Sequence, residues 1–185
     1  MRSREILSCL IWTRTATIWY HPLMQVKLDS SSLPKISGAR IAILQAKWYR
    51  EQIDKMVEKC LALLAGTGCL IPERHILPGS LELPLAAQAL LRKAPGNKQY
   101  DAIICFGAIM KGETYHFDMI MDECIRGLGQ VMLEEATPII VEVIPVTSVK
   151  QLAARSEDNE FNKGIEAALA AAEIIAWRRK TLKRR

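Results

Sequence analysis

The chain has 185 residues, half of them apolar and 24% charged, which is the size and composition of one globular domain. No run of about 18 uncharged apolar residues occurs, so the sequence argues against a membrane-spanning helix and predicts no membrane partner. The net charge is +5, and the five cysteines form no CxxC pair, so we expect no metal site and favour a reducing compartment, the cytoplasm.

The first 38 residues differ in composition from the rest of the chain. They contain short apolar stretches, arginines at positions 2, 4 and 14, and a Ser-rich patch at 30–32. One interpretation is an organellar transit peptide, which is typically poor in acidic residues. A start of translation at Met24 would instead leave most of the segment out of the protein. We predict that residues 1–38 lie outside the fold, without an assigned function, and that residues 39–185 form one domain.

Apolar strands alternate with amphipathic helices from residue 39 onward. Residues 39–45 (ARIAILQ) form a short apolar run, typical of a strand buried on both faces. A second strand ends at Leu77, and a second helix is predicted over 83–91. Between the two strands, apolar residues at helical spacing predict a helix that ends at Gly66: Ile53, Met56, Val57, Cys60, Leu61 and Leu64.

The second half of the chain repeats this pattern. Residues 102–106 (AIICF) predict a third strand, residues 107–112 predict a loop, and Thr114 is suited to cap a helix that reaches about Glu135. The remaining predicted elements are a loop at 95–97, a strand at 139–144, and helices at 149–155 and 165–178. Repeated alternation of strand and helix predicts a parallel sheet with helices on both faces.

Basic residues crowd the C-terminal end of the chain: Arg178, Arg179, Lys180, Lys183, Arg184 and Arg185. One interpretation is a tail that binds nucleic acid. The other is a helix end, where cations complement the partial negative charge of the last carbonyl groups. Because only Trp177 places an aromatic ring near this run, we favour the helix end and expect no nucleic-acid partner.

Parallel sheets of this kind bind ligands outside the carboxyl ends of their strands, so the residues after each strand are candidates for a site. Trp48 follows the first strand, where its ring is either a stacking surface for a heterocycle or a plug over the core. Ser80, Leu81 and Glu82 follow the second strand in the motif PGSLELP, where Gly79 permits a sharp turn. There Glu82 either faces a ligand or only complements a helix dipole.

The richest motif, GAIMKGETYHFD at 107–118, follows the third strand. Its Gly-Glu-Thr stretch, with Glu113 and Thr114, precedes a helix whose free amide groups are suited to bind phosphate. His116 lies in the first turn of that helix. The helix N-terminus disfavours a charged imidazolium, whereas Glu113 and Asp118 favour it. We interpret His116 as a proton shuttle or, alternatively, as a structural histidine.

The segment after the fourth strand begins with Arg155, a cation suited to grip a phosphate, although a single arginine is commonly a solvated surface residue. It opens the run RSEDNEFNKGIEAALAA, at 155–171. Together with PGSLELP and KGETYHFD, this run resembles the lumazine synthase family. The order and spacing of these motifs are specific, and the resemblance covers residues 39–177.

The resemblance implies a fold and a reaction. The fold is an α/β three-layer sandwich with a flavodoxin-like, four-stranded parallel sheet. The reaction belongs to riboflavin biosynthesis and condenses 5-amino-6-(D-ribitylamino)uracil with 3,4-dihydroxy-2-butanone 4-phosphate. Its products are 6,7-dimethyl-8-ribityllumazine, phosphate and water. Because both reactants can condense once they are held together, no cofactor is implied.

The resemblance also implies roles for individual residues. His116 would be the proton donor and acceptor, and Glu113 and Thr114 would bind the butanone phosphate, with Arg155 clamping it across a subunit boundary. The ribitylaminouracil would contact residues after the strands and one residue of the next subunit: Trp48, Ser80, Leu81, Glu82, Ala108, Ile109, Met110 and Val141. A shared site implies a homo-oligomer, and the family forms pentamers, some of which assemble into an icosahedral shell.

Some residues depart from the family pattern. Tyr49 stands where Asn or another small polar residue is usual, and Glu142 stands where Gly is usual. A carboxylate at 142 would repel a phosphate or point toward a partner subunit. The alternative function is a non-catalytic relative that binds flavin or lumazine, but such a protein could lose His116 or Arg155, and both are present. A signalling receiver domain would need an acidic cluster at the strand ends, which the sequence lacks.

Overall fold

The computed structural model describes residues 33–93 and 99–182. Their strands are β1 (Ile41–Ala46), β2 (Glu73–Leu77), β3 (Ala102–Met110) and β4 (Ile139–Val146). Their helices are α1 (Arg50–Ala65), α2 (Leu83–Lys93), α3 (His116–Glu134), α4 (Val149–Ala154) and α5 (Lys163–Leu182). The predictions for residues 1–32, for the 95–97 loop and for the last three residues lie outside these ranges. No helix within them is long and apolar enough to cross a membrane.

The four strands form one parallel sheet in the order β2-β1-β3-β4. Helices α1, α4 and α5 pack on one face of the sheet, and α2 and α3 pack on the other. Strand β1 is buried along its whole length because it lies between two strands and two helical layers. The predicted flavodoxin-like α/β sandwich is therefore confirmed, and the continuous apolar runs of the central strands are what such a sheet requires.

Strand β3 is longer than the sequence predicted. The predicted loop at 107–112 is wrong, since β3 continues to Met110 and pairs with β4 over that length. Gly107 and Ala108 have little intrinsic preference for a strand, but backbone pairing with the neighbouring strand outweighs that local preference. As a consequence, residues 108–110 belong to a hydrogen-bonded strand and lie at its carboxyl end.

The start of α3 also differs from the prediction. Thr114 does not cap the helix: α3 begins at His116, and the preceding Tyr115 makes no capping hydrogen bond with its side chain. Residues 111–115 form the connection between β3 and α3. His116 is therefore the first residue of the helix, at the point where the chain turns away from the sheet. The other predicted elements are present, with ends that differ by a few residues.

The segment before β1 packs against the domain. Ile36 is fully buried among the core residues on the α1/α5 face, and its N–H donates to the carbonyl of Thr67 at 2.9 Å. The N–H of Gly38 donates to the carbonyl of Gly68 at 2.8 Å. Gly68 has a φ of 81°, a conformation that glycine adopts without strain. The packed chain thus begins before residue 39.

Helices α1 and α5 cross in very close contact at Gly164. A Cβ atom at this position would lie 2.0 Å from the carbonyl oxygen of Met56 and 2.9 Å from the backbone nitrogen of Cys60. Because backbone atoms cannot rotate aside, Gly164→Ala must push the two helices apart. We expect this substitution to lower the free energy of unfolding by about 3 kcal/mol, the upper range for overpacked cores, as measured by urea denaturation.

Gly129 on α3 provides the matched control. It also lies within a helix, but a Cβ atom there would meet nothing within 4 Å. Gly129→Ala should leave the free energy of unfolding unchanged or raise it by up to about 1 kcal/mol through helix propensity. Equal stability of the Gly164→Ala and Gly129→Ala proteins would contradict the close crossing of α1 and α5.

Candidate active site

A crevice of about 530 Å³ opens at the carboxyl ends of β1, β2 and β3, beside the start of α3. It contains nine of the residues that the sequence singled out: Trp48, Ser80, Leu81, Glu82, Ala108, Ile109, Met110, Thr114 and His116. The location agrees with the rule that parallel sheets place ligands at this edge. Segments distant in the sequence thus meet around one cavity.

The floor of the crevice near β1 is formed by an unusual turn. Tyr49 has φ 57° and ψ 42°, which lies in the left-handed region that residues other than Gly, Asn and Asp rarely occupy. Its carbonyl oxygen accepts hydrogen bonds from the N–H groups of Gln52 and Ile53, both at 3.1 Å, which begins α1. Trp48 is 63% exposed. An exposed indole is a surface available for stacking and not a plug over the core.

The loop after β2 lies against this indole. A Cβ atom on Gly79 would be 3.7 Å from the indole ring of Trp48 and 3.0 Å from a carboxylate oxygen of Glu82. Ser80 is buried, Leu81 is exposed and Glu82 is half-buried. The loop therefore presents an apolar side chain and a carboxylate beside an aromatic ring, a combination that suits a polyhydroxylated heterocycle.

The connection between β3 and α3 supplies the other wall. The N–H of Lys111 donates to the carbonyl of Val146 at 2.8 Å and closes the β3–β4 ladder. Thr114 and His116 then face the crevice, while Glu113 is exposed beside it and does not line it. His116 stands at the N-terminal end of α3, where amide groups and the helix dipole favour an anion. This wall can hold a phosphate next to an imidazole.

Besides Glu113, two predicted site residues lie outside the crevice of a single chain. Val141 is on the edge strand β4 and is 36% exposed. Arg155 follows α4, and its carbonyl accepts a hydrogen bond from the N–H of Lys163 at 2.9 Å. Neither side chain lines the cavity. One chain therefore brings together the wall of Trp48 and the Ser80–Glu82 loop and the wall of Thr114 and His116, but not Arg155.

The sequence missed two apolar residues that line the crevice, Phe117 and Ile120. Both lie on α3 within one turn of His116, on the side of the helix that packs over the sheet. The spacing of four residues from His116 is the signal that could have identified Ile120, and Phe117 directly follows His116 in the motif.

Glu142 has neither of the two orientations that the sequence left open. It is 6% exposed and lies on the α1/α5 side of β4, between Ile140 and Ile144. The pKa of its carboxyl is raised to about 8, chiefly by burial and secondly by the Glu166 carboxylate, while Lys163 opposes both. Lys163 and Glu166 form an ion pair with each other at the start of α5. Glu142 thus points into the interior of its own chain.

Comparison with known proteins identifies the family. Residues 38–179 match the family model of 6,7-dimethyl-8-ribityllumazine synthase. Three curated proteins of that name are similar to most of the chain. The protein of Azorhizobium caulinodans is 32% identical over 158 residues, covering 85% of this chain and 97% of its own length. The protein of Methylibium petroleiphilum is 37% identical over 140 residues, covering 74% and 81%. That of Desulfotalea psychrophila is 33% identical over 142 residues, covering 76% and 89%. The chain belongs to the 6,7-dimethyl-8-ribityllumazine synthase family.

Proposed function

We propose that the protein is a lumazine synthase of riboflavin biosynthesis. It condenses 5-amino-6-(D-ribitylamino)uracil with 3,4-dihydroxy-2-butanone 4-phosphate and releases phosphate and water. The observation that carries this proposal is that Trp48, the Ser80–Glu82 loop and His116 meet in one crevice at the carboxyl ends of β1, β2 and β3.

The ribitylaminouracil is proposed to bind between Trp48 and the ends of β2 and β3. Its pyrimidinedione stacks on the exposed indole, a contact worth about 0.5 to 1.5 kcal/mol beyond the burial of area. The Ser80–Glu82 loop takes the ribityl chain, whose hydroxyl groups donate to the Glu82 carboxylate. Backbone groups of residues 108–110 contact the same substrate from a rigid strand.

The butanone phosphate is proposed to bind at the start of α3. Glu113 and Thr114 contribute from the loop, and the N-terminal amide groups of the helix complement the phosphate charge. An amine of the first substrate attacks the ketone and loses water to form an imine, and phosphate is then eliminated. The resulting enol becomes a ketone, and the second amine attacks it and closes the ring with loss of a second water. His116 gives and takes the protons of these steps. Much of the acceleration comes from holding both reactants together.

The active form is proposed to be a homo-oligomer in the cytoplasm, either a pentamer or an icosahedral shell of pentamers. The support is that one chain leaves its crevice without the arginine clamp. Arg155 and Val141 of one subunit would complete the crevice of the next subunit. A head-to-tail contact of this kind gives a ring when the rotation between neighbouring subunits divides the full circle, as in a pentamer. The synthase domain is proposed to comprise residues 39–185, preceded by an extension, residues 1–38, whose residues 36–38 pack against the domain.

The test is a direct assay. The purified oligomer, mixed with both substrates, is expected to form lumazine faster than the spontaneous reaction, as followed by absorbance. His116→Ala should lower kcat by about 100-fold or more, because proton transfer then depends on water. His75→Ala is the matched control, since His75 lies on β2 outside the crevice. No rate above background from a folded oligomer would favour the non-catalytic, ligand-binding alternative.

A further inference from the structure

A buried thiol lies beneath the loop that is proposed to bind the ribityl chain. Cys124 on α3 is fully buried, and its Sγ–H donates to the carbonyl oxygen of Ser80 at 3.1 Å. The same carbonyl accepts a second hydrogen bond, from the N–H of Leu83 at 3.2 Å. The Ser80 carbonyl is thereby fixed both by the helix that follows the loop and by a side chain of a different helix.

Ser80 is also held from the sheet. A Cβ atom on Gly107 of β3 would lie 2.7 Å from the hydroxyl oxygen of Ser80, so the serine side chain rests directly over the glycine. Ser80 itself is only 7% exposed. It therefore occupies a narrow slot between β3 and α3, with Gly107 on one side and Cys124 on the other.

The thiol is a permanent donor in this slot. Burial raises the pKa of Cys124 to about 11, and the nearby Glu82 carboxylate acts in the same direction. Cys124 therefore keeps its proton over the whole physiological pH range. A thiol is a weak hydrogen-bond donor, but a buried carbonyl group with a fixed partner is held in one orientation. The orientation of the Ser80 carbonyl in turn directs the next two residues, Leu81 and Glu82, toward the crevice.

Cys124 also connects the two walls of the site. It lies on the same helix as His116, eight residues further along, or about 12 Å at 1.5 Å per residue. The helix that begins with the proposed proton donor is thus hydrogen-bonded, two turns later, to the loop proposed to bind the other substrate.

We infer that Cys124 is a positioning residue for the ribitylaminouracil: through the Ser80 carbonyl it sets the orientation of the Ser80–Glu82 loop. This inference rests on the proposed function of the site. Cys124 touches neither substrate, and its effect reaches the ribitylaminouracil only through the loop.

The experiment compares three variants by the KM for each substrate, by kcat and by the melting temperature of the oligomer. Cys124→Ala removes the donor and is expected to raise the KM for the ribitylaminouracil about threefold to tenfold, which is the effect of losing one hydrogen bond. The KM for the butanone phosphate should not change. Cys124→Ser keeps a donor and should restore the wild-type KM. Cys60→Ala deletes an equally buried sulfur on the other face of the sheet and should change the melting temperature alone.

The outcomes separate this inference from the function on which it rests. An active wild-type enzyme whose KM for the ribitylaminouracil is the same in Cys124→Ala would overturn the positioning role and leave the function standing. So would an equal rise in both KM values, or a Cys124→Ser variant no better than Cys124→Ala. If Cys124→Ala does not fold, Cys124→Val fills the space without a donor and is expected to show the same selective rise. A wild-type protein without activity would refute the proposed function itself.

Discussion

Arg155→Ala chains and His116→Ala chains are expected to be nearly inactive when each is assembled alone and to regain activity when the two are assembled together. The reason is geometric. His116 lines the crevice of its own chain, whereas Arg155 lies outside that crevice and is proposed to enter the crevice of the neighbouring subunit. Loss of a charge-assisted clamp on a phosphate should reduce kcat/KM by on the order of 100-fold. In a mixed oligomer, some crevices receive both residues in their wild-type form.

The expected recovery can be calculated for random assembly. A crevice is intact when its own chain carries Arg155→Ala and its neighbour carries His116→Ala, so an equal mixture restores about a quarter of the crevices of a ring. The measurement is the rate of lumazine formation after the two chains are unfolded and refolded together. Refolding of each variant with the double mutant is the control, since it cannot restore any crevice.

Two results would contradict a shared site. If the mixtures are no more active than the separate variants, either His116 and Arg155 act in the crevice of the same subunit or Arg155 is not part of the site. An Arg155→Ala protein with wild-type kcat/KM would leave Arg155 as the solvated surface residue that its isolation in the sequence also allowed.

The order of the elements could be predicted because strands and helices pack against the core, and the spacing of their apolar residues in the sequence shows which type of element each segment forms. Their ends depend on partners. The small residues Gly107 and Ala108 favour a loop when considered alone, and only pairing with β4 keeps them extended. Thr114 is a good capping residue, but the chain leaves the sheet at Met110 and does not become helical until His116. Local preference was outweighed by tertiary contacts in both places.

Most of the crevice could be predicted because parallel strands end at one edge of a sheet and bring their following residues together. The left-handed backbone of Tyr49 could not, since nothing in a tyrosine favours it. The buried orientation of Glu142 also escaped prediction. A carboxylate in a strand signals exposure or function on general grounds, and only the register of β4 shows that residue 142 faces α1 and α5.

The second large effect concerns Glu142 and the stability of the protein at alkaline pH. The carboxyl has an ordinary pKa of 4.5 in an unfolded chain and a pKa of about 8 in the fold, because of burial first and the Glu166 carboxylate second. Below about pH 4.5 both states carry the proton, and the group costs no stability. Between about pH 4.5 and pH 8 the carboxyl must take up a proton when the chain folds, so the free energy of unfolding falls as pH rises. Above about pH 8 the loss of unfolding free energy is complete and amounts to about 3 to 5 kcal/mol.

Glu142→Gln keeps the size of the side chain and removes the titration. We therefore expect the variant to be more stable than the wild type at pH 9, with a difference that shrinks toward pH 5, as measured by urea denaturation at one protein concentration. Cys60 on α1 and Lys163 and Glu166 on α5 are the titratable groups that face this carboxyl, and the raised pKa of the buried Cys60 thiol keeps it neutral throughout. Lys163 limits the loss by attracting the ionised form.

Glu58→Gln is the matched control, because Glu58 is exposed on α1, the helix packed over this region. That variant should differ from the wild type by the same small amount at every pH. A constant difference between Glu142→Gln and the wild type from pH 5 to pH 9 would mean that the carboxyl reaches water in the assembled protein. A difference that grows with pH would show that the core tolerates the Glu142 carboxyl near neutral pH only because the group is protonated, and therefore uncharged, there.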